Sequence, residues 1–206
     1  GVQVEVEYST FGNDEDLYNQ LTLGNSFDLI CPSEYMFMKL IAEQKLQPLS
    51  EEFFDEQREE NYYVRGVSDY IRNIFDTNTI QGEPWSKYAA GYMWGTTGIV
   101  YNPEEITKEE ASHWSILADP KYKGQVTIKD NVRDSYFAAL GILNEEELLQ
   151  EDFLTADDRL ERIAQKMNQT DEETVGKAED ILKQMKENAY SFESDRFSFP
   201  RLFVFR

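Results

Sequence analysis

The start of the chain alternates between strand-like and helix-like patterns, and this order constrains the fold more than any other feature. Residues 2–8 alternate apolar with polar side chains, which is the period-two pattern of a strand. Asn13 is a candidate helix N-cap, and acidic residues follow it where the helix dipole favours anions. Residues 27–31 form a short apolar run typical of a buried parallel strand, and Ser33 then begins a second helix. Strand, helix, strand and helix predict an α/β domain with a parallel sheet.

The middle of the chain continues the same alternation. Residues 89–101 have a strand-like pattern interrupted by glycines, which mark bends or close backbone approach within strands. Pro103 is at a position that favours the start of a helix. A strand is predicted over 125–128 and a helix over 132–143, and residues 144–153 are interpreted as an acidic linker.

The end of the chain differs in composition from the rest. The patterns predict a helix over 171–188 and a strand over 189–192. Residues 196–206 are basic and aromatic, whereas the whole chain of 206 residues has 40 Asp and Glu against 20 Lys and Arg. Alternation within this tail is compatible with one more strand, and a truncated or frame-altered end is the alternative.

Composition limits the classes of partner. The formal net charge of −20 argues against nucleic acid or an anionic membrane surface as a partner, because both require a basic face. The same charge would attract a cationic ligand, although acidity also serves solubility alone. Cys31 is the single cysteine, which excludes an internal disulfide, and its apolar neighbours predict a buried side chain.

Catalytic motifs are absent from the sequence. The single histidine, His113, has no nucleophile motif or metal-ligand spacing around it, so we expect a structural role. Residues 95–98 contain two glycines but lack the lysine and the spacing of a phosphate-binding loop. We therefore expect a protein that is not an enzyme and that uses no cofactor.

Two loops are better candidates for binding a ligand, because ligands of doubly wound α/β folds lie beyond the carboxyl ends of the strands. The first loop, 32–35, offers the hydroxyl of Ser33 and the phenol ring of Tyr35. The second loop, 129–134, follows the predicted strand 125–128. The structural alternatives are a helix cap for Ser33, a core aromatic for Tyr35, and a helix N-terminus rich in capping residues for 129–134.

Three segments, in this order and spacing, resemble the solute-binding proteins of spermidine/putrescine ABC importers: FDLICPSEY at 27–35, YMWGTTGIVYN at 92–102 and WSILADPKYKG at 114–124. The resemblance covers nearly all of the chain. It implies an incomplete α/β fold of the two-lobe, type II periplasmic-binding-protein class, with a first lobe over 1–95 and a second over 96–206. It also implies that the chain lacks the family's first strand and helix and its second half.

The resemblance also implies a set of ligand contacts. The positions that match the family's contacts, with one aromatic candidate from the segment that crosses between lobes, are Ser33, Tyr35, Trp94, Asn131, Asp134 and Ser194. For Trp94, packing is the alternative to lining the cleft. Asn131 departs from the family, which has an acidic residue there, so one partner for a ligand ammonium group is missing unless Asp130 replaces it.

The function implied is the capture of spermidine or putrescine, without catalysis, and delivery to the permease subunits of an ABC transporter. The location implied is extracytoplasmic, in the periplasm or at the outer face of the cell membrane, with a lipid anchor on the full-length protein as one option. The alternatives are a solute-binding protein for a different small ligand and a truncated fragment without transport activity. Because 2–8 and 27–31 would lack neighbouring strands, we also expect self-association through exposed sheet edges.

Overall fold

The computed structural model describes the backbone of residues 3–193 and 202–205 and the side chains of residues 3–191. The chain divides into two compact units, the first ending at Trp94 and the second beginning at Gly95. The interpretation of these units as the two lobes of a binding protein stays a prediction.

Helices make up most of the regular structure of the first unit. They are α1 (Asp14–Thr22), α2 (Glu34–Ala42), α3 (Tyr62–Gly66) and α4 (Asp69–Thr77). Helix α1 begins where the sequence predicts, because the side-chain oxygen of Asn13 accepts the backbone N–H of Asp16 at 2.8 Å. Ser33 precedes α2 but makes no capping bond through its side chain. The short strands β1 (Thr79–Ile80) and β2 (Glu83–Pro84) pair antiparallel.

Aromatic packing holds α2 against the later part of this unit. The ring of Phe37 lies 5.0 Å from that of Trp85 in an edge-on arrangement, and the ring of Phe75 lies 5.9 Å from both. Edge-on and offset pairs of this kind add stability beyond the area that they bury. Leu17 of α1 and Leu40 of α2 are also buried. Together these contacts fix the beginning of α2, where Tyr35 lies.

The prediction of parallel strands at the start of the chain is wrong for the described residues. Residues 3–8 and 27–31 form no strand, and within 89–101 only β3 (Gly98–Val100) is one. Leu29 is 86% exposed, and Cys31 is exposed instead of buried. A strand requires a neighbouring strand that satisfies its backbone hydrogen bonds. A periodic pattern indicates only that the side chains of the segment suit a strand.

The second unit is built around a four-stranded mixed sheet. Its strands are β3, β4 (Val126–Lys129), β5 (Ala189–Glu193) and β6 (Leu202–Phe205), in the order β3-β6-β4-β5. The pairs β3–β6 and β4–β5 are parallel, and β4–β6 is antiparallel. Strand β6 lies in the basic, aromatic tail, so this part of the tail forms the additional strand that its alternation suggests.

Four helices accompany the sheet among the described residues: α5 (Val132–Leu148), α6 (Glu151–Thr155), α7 (Arg159–Met167) and α8 (Glu172–Asn188). The acidic linker expected over 144–153 is wrong, because glutamate and leucine there are good helix formers and extend α5. Pro103 lies in a turn, not in a helix, and the side chain of Asn102 accepts the N–H of Glu104 there. Within the described part of the chain, no helix is both long and apolar enough to cross a membrane.

The core of the second unit joins the sheet to α5 and α8. It contains Ile106, Ile116, Leu117, Tyr122, Val126, Ile128, Ala138 and Met185. Val126 and Ile128 come from β4 and Ala138 comes from α5, so the end of the strand and the beginning of the helix are held by the same packing. The loop between them, 129–134, therefore lies on a rigid support.

Candidate functional site

In the first unit, the beginning of α2 brings Tyr35 to two carboxylates. The Tyr35 hydroxyl donates a hydrogen bond to Oε1 of Glu15 at 3.0 Å. Asp14 is 8% exposed, and its Oδ1 accepts the backbone N–H of Ser33 at 3.2 Å. Burial of the phenol and, after it, the neighbouring carboxylates of Asp14 and Glu15 raise the pKa of Tyr35. The hydroxyl therefore keeps its proton, and with it the hydrogen bond to Glu15, at neutral pH.

Asp14 and Glu15 are candidates that the sequence reasoning missed as ligand contacts. At the start of α1, the helix dipole alone is a sufficient reason for acidic residues. The signal that could have found them is their position, because they follow the strand-like segment 2–8 much as Ser33 follows 27–31. Two carboxylates beside an aromatic ring provide the chemistry that binds an organic ammonium group.

In the second unit, the loop after β4 places Asn131 and Asp134 at the beginning of α5. Asn131 is the N-cap, and its Oδ1 accepts the backbone N–H of Asp134 at 3.0 Å. Asp134 is only 4% exposed. Nζ of Lys129 lies 3.0 Å from Oδ2 of Asp134, which is an ion-pair distance. Both predicted contacts therefore already have partners within this unit.

Lys129 is a second candidate that the sequence reasoning missed. It is the last residue of β4, and the three residues before it in this strand are buried. Its own side chain is 17% exposed and lies against Asp134. The hydroxyl of Ser135 donates to the backbone carbonyl of Lys129 at 3.1 Å, which ties the strand end to the first turn of α5. A lysine that ends a buried strand just before an acidic helix start is the signal that could have found this pair.

The last two predicted ligand contacts are Trp94 and Ser194. Trp94 ends the first unit and is 71% exposed, so it does not pack into the core of that unit. Ser194 lies outside the described residues. The nearest described serine before it in the chain is Ser191 of β5, whose side-chain oxygen is 3.4 Å from that of Thr127 on β4. The structure thus places Ser33 and Tyr35 together in one unit, and Asn131 and Asp134 together in the other.

His113 has a structural partner, as the sequence suggests. Its Nδ1 lies 2.5 Å from Oε1 of Glu145, and the backbone N–H of Ser115 donates to the other oxygen of this carboxylate at 2.7 Å. The Ser115 hydroxyl also donates to Glu145, at 3.1 Å. These bonds attach the short helical turn Trp114–Leu117 to α5. Among residues 3–191, no group of His, Cys, Asp or Glu side chains could hold a metal ion.

Comparisons with known sequences find relatives over most of the chain. The model of a family described as bacterial extracellular solute-binding proteins matches residues 35–197. The spermidine/putrescine-binding periplasmic protein of Escherichia coli (strain K12) is 25% identical over 199 residues, which cover 96% of this chain and 48% of that protein. The putrescine-binding periplasmic protein SpuD of Pseudomonas aeruginosa is 28% identical over 104 residues, 50% of this chain and 25% of that protein.

Solved structures share the fold. The spermidine/putrescine ABC transporter substrate-binding protein PotD from Streptococcus pneumoniae matches with a TM-score of 0.57 at 24% identity, over 93% of this chain and 49% of that chain. A protein from Listeria monocytogenes, named for a spermidine/putrescine ABC transporter, matches with a TM-score of 0.68 at 24% identity, over 94% and 50% of the two chains. The chain therefore spans about half the length of its relatives and has an incomplete periplasmic-binding-protein fold. These matches are to solute-binding and transport proteins, not to enzymes.

Proposed function

The chain belongs to the family of bacterial extracellular solute-binding proteins, and on this basis we propose that it serves the reversible capture of a polyamine-type amine outside the cytoplasm. A relative that aligns with 96% of the chain is named for spermidine, putrescine and the periplasm. Delivery of the ligand to the permease subunits of an ABC transporter is the second part of the proposal. The name of the pneumococcal structure, a substrate-binding protein of such a transporter, supports it.

The environment of Tyr35 is the observation that carries this proposal. Its ring lies beside the carboxylates of Asp14 and Glu15 at the beginning of two helices. Charge-assisted hydrogen bonds from an ammonium group to a carboxylate are stronger than neutral ones, and an aromatic face suits both a cation and a methylene chain. The hydroxyl of Tyr35 uses one oxygen of Glu15, so the other lone pairs of this carboxylate can accept from a ligand.

The charge of the whole chain supports a cationic ligand. A formal charge of −20 creates a field that attracts amines and raises their rate of association. This contribution is long-range and is screened within about 10 Å at 0.1 M salt. Direct contacts to a carboxylate are screened less, so the salt dependence separates the general field from a specific site.

The experiment is titration calorimetry of the chain with putrescine and spermidine at low salt. We expect Glu15→Gln to weaken amine binding by about tenfold, because an ammonium group loses a charged partner. Asp16→Asn is the matched control, since it removes one carboxylate from an exposed position of the same helix. Equal losses in the two variants would show that only the overall charge matters. No heat with either amine would rule out the proposed function for this chain.

A second candidate function is the capture of a different small solute, and the loop after β4 favours it. There, the position that is acidic in the family is Asn131, and Asp134 is paired with Lys129. A thermal-shift screen with amines, amino acids and neutral solutes separates the two candidates. Stabilisation by a neutral solute alone would support the second.

A further inference from the structure

The first unit contains a partly open cavity of about 150 Å³. All of its lining residues lie between positions 54 and 89, and none of them is a predicted ligand contact. The apolar part of the lining consists of Phe54, Val64, Val67, Phe75, Ala89 and the ring of Tyr63. The cavity is therefore a feature of the first unit alone, separate from the environment of Tyr35.

Directed hydrogen bonds tie the walls of this cavity to one another. The guanidinium of Arg72 on α4 donates to the backbone carbonyl of Val64 on α3 and to Oε1 of Glu56, the latter at 2.9 Å. The hydroxyl of Tyr63 on α3 accepts the backbone N–H of Gly91 at 3.1 Å, which fixes the segment that carries Ala89. Because these bonds join the surrounding segments, the folded unit offers a site that is already formed.

The size of the cavity limits the part of a ligand that can enter it. An apolar cavity of about 150 Å³ in a protein holds one benzene ring. Water inside such walls finds few hydrogen-bond partners, and an apolar group that displaces poorly held water gains affinity. The cavity therefore suits one compact apolar group about the size of a ring.

The charges around the cavity favour a cation. Asp76 belongs to the lining and is exposed, and its side chain makes no hydrogen bond or ion pair with another described residue. The cation of the lining, Arg72, is instead paired with Glu56. Residues 51–60, which include part of the lining, contain six acidic side chains and one basic one. An anion is therefore repelled here, and the carboxylate of Asp76 can accept from an ammonium group.

We propose that this cavity is a second binding site, for a monoamine that carries one ring-sized apolar group. The apolar group fills the cavity, and the ammonium group pairs with Asp76 at its edge. A linear diamine that filled the cavity would bury its second ammonium group among apolar side chains, which is costly. The site thus differs in ligand class from the proposed polyamine site and does not depend on it.

The test is a titration of the chain with benzylamine, followed by NMR. The methyl resonances of Val64, Val67 and Ala89 should shift, which locates the ligand. Asp76→Asn should weaken this binding by about threefold, the effect expected for an exposed ion pair. Asp69→Asn is the matched control, since Asp69 is an exposed residue of the same helix that does not line the cavity, and it should leave the affinity unchanged.

Benzyl alcohol separates the apolar contribution from the charge. It has the same ring without the ammonium group, so it should bind about threefold more weakly than benzylamine, with the same affinity for the wild type and Asp76→Asn. Equal affinities of the wild type for the two compounds would overturn the amine as ligand class. Equal effects of Asp76→Asn and Asp69→Asn on benzylamine binding would overturn the role of Asp76.

Two further results concern the site itself. Methyl resonances of Val64, Val67 and Ala89 that stay unchanged throughout the benzylamine titration would overturn the site, and this result needs no variant to fold. Displacement of benzylamine from these residues by putrescine would overturn its separate ligand class. A chain that binds benzylamine here but no putrescine would retain this site while losing the proposed function.

Discussion

The side-chain oxygen of Asn131 accepts the backbone N–H of Asp134 at 3.0 Å, so one predicted ligand contact caps the helix that carries the other. Capping and the predicted ligand contacts use the same short loop, which follows the buried strand β4. Aspartate caps helices about as well as asparagine does. The charge at position 131 can therefore be changed without removing the interaction that begins α5.

Asn131→Asp should tighten the binding of putrescine more than that of a neutral solute. The new carboxylate provides a partner for a second ammonium group, and the gain should shrink as salt rises and screening increases. Titrations at low and high salt measure both effects. Asn102→Asp is the control, since Asn102 also accepts a backbone N–H, from Glu104 at 3.1 Å, in a loop of the same unit. An equal gain for a neutral solute would mean that residue 131 does not face the ligand.

Tyr35 should make the stability of the first unit sensitive to alkaline pH. Burial and then the carboxylates of Asp14 and Glu15 raise the pKa of its phenol, whereas a tyrosine in the unfolded chain titrates near a pKa of about 10. Above that pH, the unfolded state binds fewer protons than the folded state, so the free energy of unfolding falls as pH rises. The contribution of Tyr35 is fully present below pH of about 10 and is lost as pH rises through the folded-state pKa.

Urea unfolding between neutral and alkaline pH measures this effect. Relative to Tyr35→Phe, the wild type should lose stability as pH passes about 10, because only the wild type carries the Tyr35 phenol. Tyr92→Phe is the control, since Tyr92 is an exposed residue of the same unit. Parallel pH curves for the wild type and Tyr35→Phe would contradict the prediction.

Local features of this fold were predictable from the sequence, because the residues that make them are close along the chain. The caps Asn13 and Asp171 each accept a backbone N–H from the residue three positions ahead, and both helices begin where the sequence predicts. The apolar run 27–31 shows where prediction from the sequence fails. Its composition suits a buried strand, but Leu29 is exposed because no described segment pairs with it, and pairing depends on residues far away in sequence.

The candidate site shows the same difference between local features and contacts across the fold. The spacing places Asn131 and Asp134 at one helix start, and the structure has them there. The sequence could not say that Lys129 binds Asp134, because this depends on the direction of a side chain across a loop. It also could not say that Glu15 and Tyr35, which belong to different helices, are within hydrogen-bond distance.

Two helical glycines should respond oppositely to alanine. A Cβ at Gly141 of α5 would lie 3.1 Å from two ring atoms of Trp114, whereas a Cβ at Gly176 of α8 would meet nothing within 4 Å. Alanine improves helix propensity at both positions by about 0.5–1 kcal/mol. At Gly141, overpacking of a buried position costs about 1–3 kcal/mol and outweighs that gain.

Gly176→Ala should therefore raise the free energy of unfolding and Gly141→Ala should lower it. Urea denaturation of the two variants beside the wild type measures both changes. Since the indole of Trp114 also packs edge-on against Phe137, with ring centroids 6.1 Å apart, we expect it to have little room to move away. Stabilisation by both substitutions would show that the ring does move.

Self-association should depend on the apolar residues of 3–8 and 27–31. Val4, Val6 and Leu29 are exposed, and the segments that carry them have strand patterns but no strand partner among the described residues. Unpaired segments of this kind pair readily with another chain. Sedimentation velocity over a range of concentrations should therefore show dimers or larger species of the wild type.

Leu29→Lys should reduce this association without lowering the free energy of unfolding, because the replaced side chain is 86% exposed and a charge opposes pairing. Leu23→Lys makes the same change at an 84% exposed position that follows α1 and lies outside both apolar segments. The two variants gain the same charge, so any effect of reduced net charge on association is common to both. A larger fall in association for Leu29→Lys than for Leu23→Lys would place the contact at 27–31. Equal falls in association for the two variants, or a wild type that stays monomeric at high concentration, would exclude a contact at 27–31.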